Sequence, residues 1–182
     1  MRVITGTARG AKLTTLEGEE LRPTADSVKE AVFSSIQFEI EGRRVLDLFA
    51  GSGQLGIEAL SRGAQSATFV DANAQAVQVI KQNLNHVRLL DKATVLTSDF
   101  STCLAHAKTV FDIAFIDPPY SKGLAAKALP LVAAIMSPQG VIICEAAKLD
   151  ELPMQAGDFV LVQTKAYGKT AVSIYRVKNA DQ

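Results

Sequence analysis

The chain has 182 residues, enough for one domain with its own core, and 48% of them are hydrophobic against 21% charged. Lysine plus arginine and aspartate plus glutamate balance at 19 each, which excludes a chain that holds polyanions by overall charge and leaves only local patches for that purpose. No apolar run approaches the roughly 20 residues of a membrane span, "MRVITGTARGAKL" carries no apolar signal segment, and two cysteines with two histidines form neither a disulfide framework nor a zinc set. The expectation is a cytoplasmic protein with Cys103 and Cys144 as free thiols and no metal.

Residues 1–15 read as a small extended or hairpin element turning at Gly6 and Gly10. It carries Arg2, Arg9 and Lys12 with no acid. "RPTADSVKEAVFSSIQF" reads as a helix, capped by Thr24 or Asp26, with Val28, Val32, Phe33 and Ile36 as its apolar stripe. From Gly42 onward strand-like and helix-like runs alternate. Strands are expected over 43–49, 66–71, 93–99, 111–117 and 140–146. Between them lie helices at "QLGIEALSRG", 73–87 with Asn73 as N-cap, 101–107, and 124–136 with Pro130 near a break or at a first helical position. "SPQG" (137–140) reads as a loop. Residues 158–177 read as two strands around a turn near Gly168, with a second basic patch at Lys165, Lys169, Arg176 and Lys178.

Alternation of this kind means an α/β fold, a doubly wound, mostly parallel Rossmann-like sheet with an antiparallel C-terminal hairpin. One domain spans 1–182. It comprises an extended N-terminal element (1–20), an N-terminal helix (21–41) and the core (42–182).

"VLDLFAGSGQLG" sets Gly51, Gly53 and Gly56 in the order strand, tight turn, helix, where glycine lets the backbone approach a ligand at a helix N-terminus. Asp71 ends the second strand and suits the two ribose hydroxyls of an adenosine. Its bland role is a helix cap. A dinucleotide and S-adenosylmethionine both fit so far. Asp47, inside an apolar strand, favours the second: a carboxylate attracts a sulfonium and an ammonium and repels a pyrophosphate. Asp99 can accept from an adenine amino group with Phe100 against the ring, or else merely cap the helix after it.

"FDIAFIDPPY" ends a buried strand on Asp117, Pro118, Pro119 and Tyr120. The two prolines remove two N–H donors and fix φ. What is left is a carboxylate, main-chain carbonyls and one flat ring, a platform for an exocyclic amine on a planar base. Hydrogen bonds from the amine hold its lone pair toward an electrophile, and the ring stacks on the base. The tetrad alone leaves guanine N2 and adenine N6 both open.

Together, "RVITGTARGAKL", "LRPTADSVKEAVFSSI", "VLDLFAGSGQLGIEALSRGA" and "FDIAFIDPPY" resemble the bacterial 16S ribosomal RNA guanine-N2 methyltransferase family, ribosomal small-subunit methyltransferase D, over nearly the whole chain. The resemblance implies a class I methyltransferase fold and methyl transfer from S-adenosylmethionine to one guanine N2 of the small ribosomal subunit, by a monomer. It implies catalytic roles for Asp117, Pro118, Pro119 and Tyr120. Arg22, Thr24, Asp47, Phe49, Gly51, Gly53, Asp71, Asp99 and Phe100 would hold the cofactor, and Arg2, Arg9 and Lys12 would meet RNA phosphates. Asp71 stands where members more often have glutamate, Ser27 where a basic residue is common, and Gln54 where a small residue is usual. The rival expectations are an adenine-N6 methyltransferase on DNA or RNA, and a non-catalytic module that binds S-adenosylmethionine or RNA.

Overall fold

The apolar runs around the glycine turn become a row of parallel strands. In a computed structural model, which describes residues 1–16, 25–120 and 123–178, β1 is Arg44–Leu48, β2 Ser66–Asp71, β3 Ala93–Thr97, β4 Phe111–Ile116 and β5 Met136–Ala147. Three further strands, β6 (Gln155–Ala156), β7 (Phe159–Tyr167) and β8 (Thr170–Val177), complete one sheet in the order β3-β2-β1-β4-β5-β8-β7-β6. β1 to β5 are mutually parallel, and β8 joins β5 antiparallel. The strand order reverses between β1 and β4. The crevice outside the carboxyl ends of these two strands is therefore where an open α/β sheet receives a ligand.

The helices are α1 (Ala25–Ser35), α2 (Gln54–Ser61), α3 (Ala74–His86), α4 (Phe100–Ala105) and α5 (Leu124–Ala133). Strand side chains alternate between two cores. Val45, Ile113 and Phe115 pack with α1, α2 and α3, whereas Leu46, Ala114 and Ile116 pack with α4 and α5. β4 is buried along its whole length, as a central parallel strand covered on both faces must be. The α1 stripe expected from sequence is buried at Val28, Val32, Phe33 and Ile36.

The N-terminal element is a hairpin closed by an Arg2–Lys12 bridge, with Gly6 and Gly10 both at positive φ. It is bolted down by polar groups. Glu58, fully buried in α2, accepts from the N–H groups of Ile4 (2.8 Å) and Thr5 (3.0 Å). The Ser61 hydroxyl donates to the Thr5 carbonyl (2.7 Å) and accepts from the Ala8 N–H (2.9 Å). A side chain on Gly6 would run into the Ser61 carbonyl oxygen, 1.8 Å away, so only glycine fits. Lys29 in α1, also buried, donates to the Arg2 carbonyl (2.6 Å) and lies 3.6 Å from Glu58. Burial lowers the Lys29 pKa, against the pull of Glu58.

Several expectations shift. "SPQG" is not a loop: it belongs to β5, whose pairing with β4 jumps from Phe111–Met136 to Ile113–Val141, so residues 137–140 form a bulge in a long strand. Pro130 sits inside α5, which continues to Ala133 because Ala125, Ala128, Leu129 and Val132 bury its face against the sheet. Asp26 lies in the first turn of α1 rather than at its cap. Thr24 and Arg22 lie outside the described residues. Arg176 of the second basic patch is engaged in a two-pronged pair with Glu39 (2.7 and 2.8 Å), which removes it from that patch. No helix among the described residues is long and apolar enough to cross a membrane.

Candidate active site

The glycine turn is built as its spacing demands. After β1 the chain passes through positive φ at Phe49 (63°), Gly51 (57°) and Gly53 (82°). Phe49 is the costly one, since a side chain in this region loses roughly 1 kcal/mol or more. Its ring is held against Phe100, centroids 5.3 Å apart. Gly53 caps α2. Gly56 is required for packing: a Cβ there would lie 2.4 Å from the Phe69 ring of β2.

Two acids brace this turn from below. Asp47, 1% exposed, accepts the Gly56 N–H at 2.9 Å and so satisfies one of the orphan donors of the first turn of α2. Asp71 accepts from Gly51 N–H (2.9 Å) through one oxygen and from Asn73 N–H (2.8 Å) through the other. Asp71 is thus no helix cap, a task Asn73 performs for α3. The shorter acid reaches the glycine turn without difficulty. Asp99 does cap α4, through the Thr102 N–H (2.9 Å) and the Ser101 hydroxyl (2.6 Å). These bonds, the Ser101 hydroxyl foremost, hold its carboxyl well below the usual carboxylate range.

The same residues line a cavity of about 500 Å³ at the ends of β1, β2 and β4. Asp47, Phe49, Gly51, Asp71, Asp99, Phe100, Asp117 and Pro119 all contribute to it, with Met1 and Leu16 from the N-terminal segment. Four carboxylates border this space, and no lysine or arginine does among the described residues. A pyrophosphate is repelled there, whereas a ligand bearing a sulfonium and an ammonium is attracted, with Phe49 and Phe100 as apolar surface for a ring.

A second cavity of about 350 Å³ lies on the α1 side of the sheet. Asp117, Gln54 and Leu55 belong to both cavities. Tyr120, Glu145, Phe115, Ile143, Val28, Lys29 and the β7–β8 turn at Gly168 and Lys169 are among the other residues that line the second. Tyr120 donates its hydroxyl to Glu145 Oε1 at 2.9 Å. Pro118 is buried and Pro119 exposed, so the proline pair begins inside the sheet and ends at the surface. The Gln54 side-chain oxygen is buried without a hydrogen-bond partner among the described residues.

Asp47, Phe49, Gly51, Asp71, Asp99, Phe100, Asp117 and Pro119 therefore gather around one space, and Tyr120 around its neighbour. Arg2, Arg9 and Lys12 are exposed on the N-terminal hairpin. Sequence reasoning passed over Glu145, although an acid inside the apolar "GVIICEA" is the same signal that singled out Asp47. It also passed over Lys29, Glu58 and Asn83. Asn83 is buried in α3 and donates to the carbonyls of both Thr14 and Ser52 (2.9 Å each), tying the N-terminal segment to the glycine turn.

The family model described as "Conserved hypothetical protein 95" matches residues 1–176. YlbH of Bacillus subtilis (strain 168) is 41% identical over 97% of this chain and 98% of its own length. Ribosomal RNA small subunit methyltransferase D of Escherichia coli (strain K12) is 33% identical over 97% of this chain and 89% of its own. The solved structure of Escherichia coli yhhF superimposes with a TM-score of 0.88 at 33% identity, covering 98% of both chains. The fold, the paired cavities and these likenesses agree: the chain belongs to the ribosomal RNA small subunit methyltransferase D family.

Proposed function

We propose that the chain, acting as a single-domain monomer, transfers a methyl group from S-adenosylmethionine to the N2 amine of one guanine in 16S rRNA of the small ribosomal subunit. The observation that carries this reading is Asp117 standing in the wall of two adjoining cavities, one acidic and one flanked by Tyr120. Relatives named ribosomal RNA small subunit methyltransferase D support the rRNA substrate.

Asp47, Asp71 and Asp99 would hold the cofactor with Phe49, Gly51, Gly53 and Phe100. When bound, S-adenosylmethionine supplies a methyl group made electrophilic by its sulfonium. The chain supplies position. An exocyclic guanine amine is a poor nucleophile because its lone pair is delocalised into the ring. The Asp117 carboxylate and the Pro118 carbonyl accept its two N–H groups and leave the lone pair facing the acidic cavity. Pro118 and Pro119 present no N–H to compete, and Tyr120 stacks on the base. Orientation of this kind removes several kcal/mol from a barrier. As the new N–C bond forms, the methyl–sulfur bond would break with its electron pair passing to sulfur, leaving a neutral thioether, and the amine would shed one proton to Asp117 or to water. Arg2, Arg9 and Lys12, exposed on the N-terminal hairpin, would meet backbone phosphates.

The test is transfer of radiolabelled methyl to small subunits and naked 16S rRNA from cells lacking the protein, with DNA beside them, followed by nucleoside analysis. N2-methylguanosine is the expected product. N6-methyladenosine, or label in none of the substrates, overturns the proposal.

A further inference from the structure

The tetrad leaves one question open, which amine it holds, and the cavity wall beside it bears on that question. Ile116 of β4 pairs with Cys144 of β5. The next residues, Asp117 just past the end of β4 and Glu145 within β5, therefore lie side by side, and both line the Tyr120 cavity. Glu145 is partly exposed to that space and is steadied by the Tyr120 hydroxyl on Oε1. A carboxylate has about four acceptor sites, so one tyrosine bond leaves most of its capacity for a ligand.

Guanine and adenine differ in what they show to a second acceptor beside their amine. In guanine the ring nitrogen next to N2 carries a proton and donates. In adenine the ring nitrogen next to N6 bears a lone pair and accepts. A carboxylate beside Asp117 completes a row of acceptors that matches the contiguous donors N1–H and N2–H₂. The same carboxylate faces the adenine N1 lone pair with like polarity and rejects it.

We infer that Glu145 is the specificity-determining residue of the site, accepting N1–H of the target guanine while Asp117 and the Pro118 carbonyl hold its N2 amine. This rests on the guanine-N2 reading above and adds to it the group that enforces the choice. The bond to Tyr120 gives Glu145 a second effect: the stacking ring and the edge-reading carboxylate are set relative to one another before the base arrives.

The experiment uses small subunits reconstituted with 16S rRNA carrying guanine, 2-aminopurine or inosine at the methylated position. 2-Aminopurine keeps the 2-amine but turns N1 into an acceptor; inosine keeps N1–H but lacks the amine. Wild-type protein is expected to methylate guanine about 10⁴-fold more efficiently in kcat/KM than 2-aminopurine, because a site built around a donor rejects an analogue that lacks it. Glu145→Gln, whose carboxamide keeps the shape and can donate, is expected to lose activity on guanine and gain it on 2-aminopurine, so the preference shrinks at least tenfold. Tyr120→Phe, which removes only the hydroxyl, is expected to slow both substrates while keeping the preference. If Glu145→Gln slows guanine and 2-aminopurine by the same factor, Glu145 merely supports Tyr120 and the inference fails. Methylated inosine, or wild-type label found on adenine, instead overturns the guanine-N2 reading itself.

Discussion

Replacing Glu58 by glutamine isolates the buried anchor that holds the N-terminal hairpin. One Glu58 oxygen accepts from Thr5 N–H and from Arg62 Nε (2.9 Å), and the other accepts from Ile4 N–H and lies nearest Lys29. Glutamine keeps the shape but turns one oxygen into a donor. In either rotamer that donor meets another N–H, and a buried mismatch of this sort costs about 1–3 kcal/mol. Lys29, 2% exposed, also loses its carboxylate, and breaking a buried pair from one side costs about 3–5 kcal/mol. Lys29 limits the damage by shedding its proton, since burial already lowers its pKa. With that relief the net loss falls below the simple sum of the two costs, to about 3 kcal/mol, a large share of the ~5–15 kcal/mol that holds a typical fold together. Urea unfolding should show the midpoint falling by about 1–2 M with an unchanged slope. The double variant Lys29→Met, Glu58→Gln should recover part of the loss, because no lysine is then buried without its carboxylate while the amide oxygen still accepts from the hairpin. A single-variant loss under about 1 kcal/mol would refute the view that this carboxylate anchors the hairpin. Since the hairpin bears Arg2, Arg9 and Lys12, rRNA affinity should weaken alongside stability.

Three further outcomes are expected. Asp117→Ala should abolish methyl transfer while calorimetry shows S-adenosylmethionine binding nearly unchanged; loss of cofactor binding would contradict the role given to this residue. The Arg44 side chain beside Asp112, hydrogen-bonded through Nε and Nη2 at 3.0 Å each, draws the Asp112 pKa down to about 2. A carboxyl depressed in the folded state stabilises above its unfolded pKa near 4 and loses that contribution as pH falls toward 2. Asp112→Asn should therefore flatten this part of the acid-unfolding curve and cost only about 1 kcal/mol at neutral pH, because Arg44 is 39% exposed and solvent screens the pair. Burial pushes the Cys144 thiol up to about 12. Iodoacetamide at pH 8 should then spare Cys144 in the folded protein and label it once urea is added, as mass spectrometry can follow.

What sequence reveals here depends on how local the cause is. The five parallel strands are legible because each is an apolar run bounded by its own turn residues. Gly51, Gly53 and Gly56 are legible because the demand for glycine arises within a few residues of each. The bulge at 137–140 is not, because it comes from fitting a long β5 against a shorter β4. Asp99 had two local readings; the capping bonds are seen, and its adenine contact belongs to the proposal. Glu145 and Glu58 were missed for one physical reason. Their partners, Tyr120 and the Ile4–Thr5 backbone, lie 25 and more than 50 residues away in the chain, and no periodicity encodes a hydrogen bond over that separation.

The place of β8 has a consequence for how the protein is made. It is the last strand in sequence order, yet it lies between β5 and β7, and its Tyr175 is fully buried. During synthesis β5 emerges with one edge unpaired, and that edge stays open until residues 170–177 follow. A nascent chain halted before then displays a bare row of backbone donors and acceptors beside apolar surface, the kind of template that recruits other chains. Trimming the protein at Lys169 would not remove an ornament from the rim of the sheet. It would cut the ladder in two, detach the β6–β7 pair from the rest of the sheet, and leave a β5 edge that aggregates before the enzyme meets its substrate.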